Sequence, residues 1–184
     1  KASFFILCPV NVLILFMAVY LTKVFGLQEA GLVNVLAIAA VFAIFGSIIF
    51  GTISDYLGYK NTIYFISSML FSGFILIALF TAKIHAFWLA GLFGLIYGAL
   101  MAVPRALAVS LVPDKKIGEL FGFLAVIGYL AGIVGPLFWG LMLLILRPLG
   151  VLRYRIVIVS LVLFIIPALY YFIRIPKRKL QHEQ

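Results

Sequence analysis

Long apolar runs, each closed by a charge, set the rhythm of this chain. From Ala2 to Thr22 no residue is charged, and Lys23 ends the run. After Glu29 the chain stays uncharged from Ala30 to Ser54, where Asp55 follows. Further runs cover Asn61 to Ala82 between Lys60 and Lys83, then about Ala86 to Pro104 with Arg105 near its end. The last two extend from Leu120 to Leu146 after Glu119, and from Ile156 to Ile173 between Arg155 and Arg174. Each meets or approaches the roughly 20 residues needed to cross the hydrocarbon core of a bilayer. The runs do not alternate between apolar and polar positions, as the strands of a membrane barrel would. A spanning segment in lipid must satisfy its own backbone hydrogen bonds, which favours helices. The pattern predicts an all-α polytopic membrane protein with spans at about 2–22, 30–54, 61–82, 86–109, 119–146 and 155–173. A basic tail, 174–184, would follow the bundle.

Composition agrees. Of 184 residues, 66% are hydrophobic and only 10% charged, far from the balance of a water-soluble domain. The net charge of +9 does not point to nucleic acid, because the basic residues flank the apolar runs instead of lining one face. Lys177, Arg178 and Lys179 fall just after the last run, where anionic headgroups are the natural partner. Six crossings place both ends on one side, with Lys1, Lys60, Lys115, Lys116, Arg174, Lys177, Arg178 and Lys179; Lys23, Lys83, Arg147, Arg153 and Arg155 fall on the other. That excess favours cytoplasmic termini, with the Arg147–Arg155 loop working against it. Lys1 in place of an initiator methionine suggests a fragment or a processed product.

Chemistry is sparse. Cys8 is the only cysteine, so neither an internal disulfide nor a cysteine-based metal site is expected. His85 and His182 fall in a loop and the tail, and no catalytic constellation, metal-ligand spacing or phosphate-binding loop accompanies them. Neither an enzyme nor a cofactor is expected. Glu29, Asp55, Asp114, Glu119 and Glu183 all lie at or beyond the ends of the runs, so no carboxylate is placed at mid-membrane to relay protons. The larger polar residues within spans are Asn11, Asn34, Tyr97 and Tyr129, each suited to a neighbouring helix or a water-filled path.

Small residues are better organised. Gly94 and Gly98 form a small-xxx-small pair extended by Ala90 and Ala102, and Gly128 and Gly132 form another, followed by Gly135 and Pro136. Such spacing lets helix backbones approach closely, and a mid-helix proline invites a bend.

Between the second and third runs the chain reads Gly51-Thr-Ile-Ser-Asp55-Tyr-Leu-Gly58-Tyr-Lys60. This resembles the signature loop of the major facilitator superfamily, with Tyr56 and Tyr59 where that family often has arginine or lysine. The stretch Pro104-Arg105-Ala-Leu-Ala, then Leu111-Val-Pro113, Gly118-Glu119-Leu-Phe-Gly122-Phe and Gly135-Pro136, resembles the vacuole-effluxer-like branch. The two matches cover helices two to five in order. The resemblance implies a carboxy-terminal six-helix half of a permease in the cell (inner) membrane, whose partner is an amino-terminal half or a second copy. It implies a small solute, with vacuolar amino-acid exporters among the eukaryotic relatives, moved by alternating access. By the same analogy Asn11 and Tyr97 would line the cavity, and Arg105 near its cytoplasmic mouth would pair with Glu119 as a latch. The third and sixth helices would face lipid, Phe65, Phe71, Phe74 and Phe80 included. The competing expectation is a six-helix membrane scaffold without transport, which leaves the loop signature unexplained.

Overall fold

In the computed structural model, residues 2–173 are described; Lys1 and the expected basic tail, 174–184, lie outside them. Among the described residues seven α-helices follow in chain order: α1 (Ala2–Val24), α2 (Glu29–Leu57), α3 (Tyr59–Leu79), α4 (Lys83–Ser110), α5 (Ile117–Ile145), α6 (Leu152–Ser160) and α7 (Val162–Ile173). They form six stretches long and apolar enough to cross a membrane, α6 and α7 together making the sixth. The charges that close the runs suit the helix ends. Lys23 lies in the last turn of α1, while Glu29 and Glu119 lie in the first turns of α2 and α5, each favoured by the helix dipole there.

Two boundaries differ from expectation. The final span is broken at Leu161, where Leu161 N–H bonds to Ile158 O and Phe164 N–H to Leu161 O, i→i−3 bonds in place of the usual i→i−4. Ser160 Oγ donates back to Val157 O, and Pro167 further on lacks the N–H that would support the next turn, a combination that loosens a helix. The expected signature loop is almost wholly helical: α2 runs through Asp55 to Leu57, and Gly58 alone separates it from α3. Gly58 has φ +83° and ψ 141°, a region that side-chain-bearing residues rarely enter.

Packing is organised around α1 and α4. α4 lies against α2 and α3, and α1 lies against α5 and α7. Exchanging the unit α1–α3 with the unit α4–α7 therefore maps each of these pairings onto the other. The first unit starts from the membrane face that carries the chain ends, and the second starts from the opposite face. This is the geometry of two inverted three-helix repeats, although no residue-level repeat is visible in the sequence. Within the first unit Tyr20 of α1 is tied to α3, its buried hydroxyl donating to Ile77 O at 2.9 Å. At the far face Arg155 donates through Nε to Ala78 O at 2.6 Å and through Nη2 to Leu79 O at 3.4 Å, closing the carbonyl end of α3.

α3 does not simply face lipid. Phe65, Phe71 and Phe80 are exposed, but Phe74 is fully buried against Phe93 of α4, ring centroids 5.7 Å apart. The helices with the least cover are α2 and α5, where 11% and 17% of the most apolar stretch is buried, against 61% in α4. Their open faces are apolar, with Ile44, Phe45 and Ile48 on α2 and Ile133, Leu137 and Leu141 on α5.

Candidate functional site: a cavity between α1, α4 and α5

A cavity of about 570 Å³ separates α1, α4 and α5, within the usual range for small-molecule sites. Its lining comes from the half of each helix nearest the chain ends: residues 3–14 of α1, 97–105 of α4 and 121–129 of α5. It therefore lies toward the membrane face at which α1 begins and α7 ends. Apolar side chains such as Ile6, Leu100 and Phe121 make most of the wall, and Ser3, Asn11, Tyr97, Arg105 and Tyr129 supply the polar groups.

Asn11 and Tyr97, both expected at a cavity from the resemblance, line this one together. The Asn11 amide donates one hydrogen to Leu7 O at 2.9 Å, which anchors the side chain along its own helix. Arg105 also lines the cavity, and its Nη2 lies 3.9 Å from Met101 Sδ. Glu119 is not part of the wall, and Arg105 and Glu119 form no ion pair in this conformation. Tyr129, expected either at a neighbouring helix or along a water-filled path, also lines the cavity, as do Ser3, which the sequence did not single out, and Gly128, which was expected in helix packing. Tyr129 had one usable signal, a large polar side chain beside Gly128 in an otherwise apolar span.

The glycines divide by position. On α4, a Cβ at Gly94 would collide with Ala39 O of α2, and one at Gly98 with Ala43 O. Gly46 of α2 meets Leu95 of α4 in the same way; Ala39 and Ala43, on the same α2 face, were the signal for it. On α5, Gly128 has open space around it, Gly132 lies beside the Asn11 side chain, and Gly135 presses on Cys8 O of α1. Pro136 follows within α5, which remains one helix.

At the α2–α3 junction the signature residues sit close together in sequence and space. Asp55 in the last turn of α2 accepts a hydrogen bond at 3.2 Å from Tyr59 Oη in the first turn of α3. Asn61 Nδ2 donates to Leu57 O at 3.1 Å, and Thr62 Oγ1 to Gly58 O at 3.2 Å. Carbonyls left over at the end of α2 are thus satisfied by side chains of α3. Tyr59, at a position where the family often has arginine or lysine, supplies a neutral donor to Asp55. Gly51 has open space around it, one turn before Asp55.

Six spans in two inverted units, enclosing a partly polar cavity that opens to one membrane face, define a polytopic membrane protein with a solute-sized vestibule. The family profile of the Major Facilitator Superfamily matches residues 2–184, and the chain belongs to that superfamily of membrane transporters. No curated protein matches the chain.

Proposed function

We propose that the chain forms one half of a permease that moves a small solute by alternating access, as a member of the vacuole-effluxer-like branch. The cavity between α1, α4 and α5 carries this reading: it is large enough for a small molecule, and Asn11, Tyr97, Arg105 and Tyr129 all line it. A second six-helix bundle, an amino-terminal half or another copy, supplies the facing wall, and rocking of the two bundles moves the opening from one membrane face to the other. The uncovered apolar faces of α2 and α5 are consistent with that neighbour. Both ends of the segment lie on the cytoplasmic side of the cell membrane, and amino acids fit the cavity by size. An Arg105–Glu119 latch would belong to another conformation of the cycle.

Asp55 tests the reading. In the full-length protein reconstituted in vesicles, Asp55→Ala loses most solute flux while inserting normally, because the α2–α3 junction loses its carboxylate acceptor. Flux equal to the parent protein would remove the junction from the transport cycle and leave a bundle whose signature has no role in movement.

A further inference from the structure

We propose that the transported solute carries a carboxylate, and that Arg105 is the residue that holds it. The inference rests on the transport reading and names the substrate class of the same cavity.

The direction of the Arg105 side chain is the first observation. α4 runs toward the face that carries the chain ends, and Arg105 lies five residues before its last residue, Ser110. An arginine in that position that served headgroups would extend outward, past Ser110. Instead its Nη2 lies beside Met101 Sδ, one turn back toward the membrane centre, along the lean that helical side chains take toward the N-terminus. Met101 is nine residues from Ser110, about 14 Å at 1.5 Å per residue. The positive charge is directed down the cavity, and a thioether is a weak acceptor. Most of the five guanidinium donors remain for a ligand.

The surroundings are the second. Asn11 of α1 lines the same cavity as Arg105. One hydrogen of its amide is held by Leu7 O; the other and the oxygen remain, on the side of Gly132. Tyr97 and Tyr129 add phenol groups to the same wall. None of the residues lining the cavity is acidic, so the fixed charge there is positive and draws anions. The planar guanidinium fork matches a carboxylate through two parallel N–H···O bonds. A phosphate ester dianion fits less well, because one guanidinium leaves its second charge uncompensated and no other cation lines the cavity. The remaining polar groups suit a hydroxyl or aromatic ring on the solute body.

The experiment uses the purified full-length protein in detergent, with thermal unfolding followed at constant ionic strength. The probes are hydroxy acids of three to eight carbons, with their amides, the corresponding amines and the phosphate esters of matching alcohols. At least one carboxylate raises the Tm by about 2 °C or more, as saturation of a specific site requires, and its amide, amine and phosphate counterparts do not. Arg105→Gln abolishes that shift. Arg105→Lys, which keeps the charge but not the fork, retains part of it, and Arg147→Gln at the opposite face retains all of it. Where Arg105→Gln does not fold, phenylglyoxal labelling of wild-type Arg105, read on its peptide by mass spectrometry, is slowed by the same carboxylate. Equal stabilisation by amide or amine, or a carboxylate shift that survives Arg105→Gln, overturns the inference. Amines that bind and are transported would overturn it while leaving the transport reading intact. No stabilisation by any probe class, together with no flux, would overturn both.

Discussion

The α2–α4 and α1–α5 interfaces are counterparts under exchange of the two three-helix units, yet one is closed and the other is open for half its length. Along α2–α4, Gly94 and Gly98 bring α4 onto the backbone at Ala39 and Ala43, and Gly46 returns the contact at Leu95. Along α1–α5, close contact is confined to the second half of α5, where Gly135 meets Cys8 and Trp139 stacks on Phe16 with centroids 5.7 Å apart. Toward the chain ends the same interface parts around Gly128, and the cavity occupies the gap. Two glycine pairs with identical spacing therefore do different things. Gly94 and Gly98 remove side chains so that backbones can touch; Gly128 removes one so that space remains.

That difference predicts opposite responses to the same substitution. Gly98→Val drives a side chain into the α2 backbone, and overpacking against main chain costs about 3 kcal/mol or more. Its expected outcome is failure to insert, or a Tm in detergent well below that of the parent. A normally inserted, stable Gly98→Val protein would show that α2 and α4 are not held together by this contact. Gly128→Val meets nothing and changes stability by only about 0.5 kcal/mol, as at other uncrowded positions. It does fill cavity, and a few added carbons in a fitted site change turnover on the order of tenfold. Flux and Tm measured on the two variants separate the glycines by function: one loses the fold, the other loses transport.

The six spans were legible in the sequence because a charge-free run of bilayer length has almost no place in a water-soluble fold. Their pairing was not. Gly94 and Gly98 read as a close-approach stripe, but nothing local names the partner helix, and Gly46 stands out less because its small neighbours are alanines. Phe74 reads like the other phenylalanines of its helix, and only contact with Phe93 distinguishes it. The break at Leu161 depends on several modest effects acting together. Arg155 counts against cytoplasmic termini when only its place along the chain is considered, yet it caps α3. A cation at that end has a structural reason independent of membrane orientation. Asn11, Tyr97 and Arg105 can be nominated singly; that they share a wall with Tyr129 depends on distances between helices far apart in sequence.

Accessibility sharpens the comparison with a smaller effect. Cys8 is fully buried where α1 meets Gly135, whereas Tyr129 on the open stretch of α5 is 76% exposed. With Tyr129→Cys in the full-length protein, a water-soluble maleimide should label position 129 about tenfold or more faster than Cys8, since reaction requires an accessible thiolate. Peptide mass spectrometry reads both sites in one sample, with Cys8 as the internal reference. Equal rates would mean that the α1–α5 gap is closed or lipid-filled in the membrane.

The smallest expected effect concerns Glu119, which stands in the first turn of α5 beyond the open stretch. If the gap is held open by the Cys8–Gly135 and Phe16–Trp139 contacts further along, the near end of α5 needs no ionic tie to α4. Arg105, directed toward Met101, is not supplying one in this conformation. Loss of the Glu119 charge then removes only a favourable helix-dipole interaction, about 0.3–1 kcal/mol for an exposed carboxylate. Glu119→Gln should lower the Tm slightly and leave flux far closer to the parent than Arg105→Gln does. A double-mutant cycle on flux decides the matter. Independent effects place Arg105 with the solute, whereas strong coupling between the two would restore the latch and make the mouth of the cavity a gate.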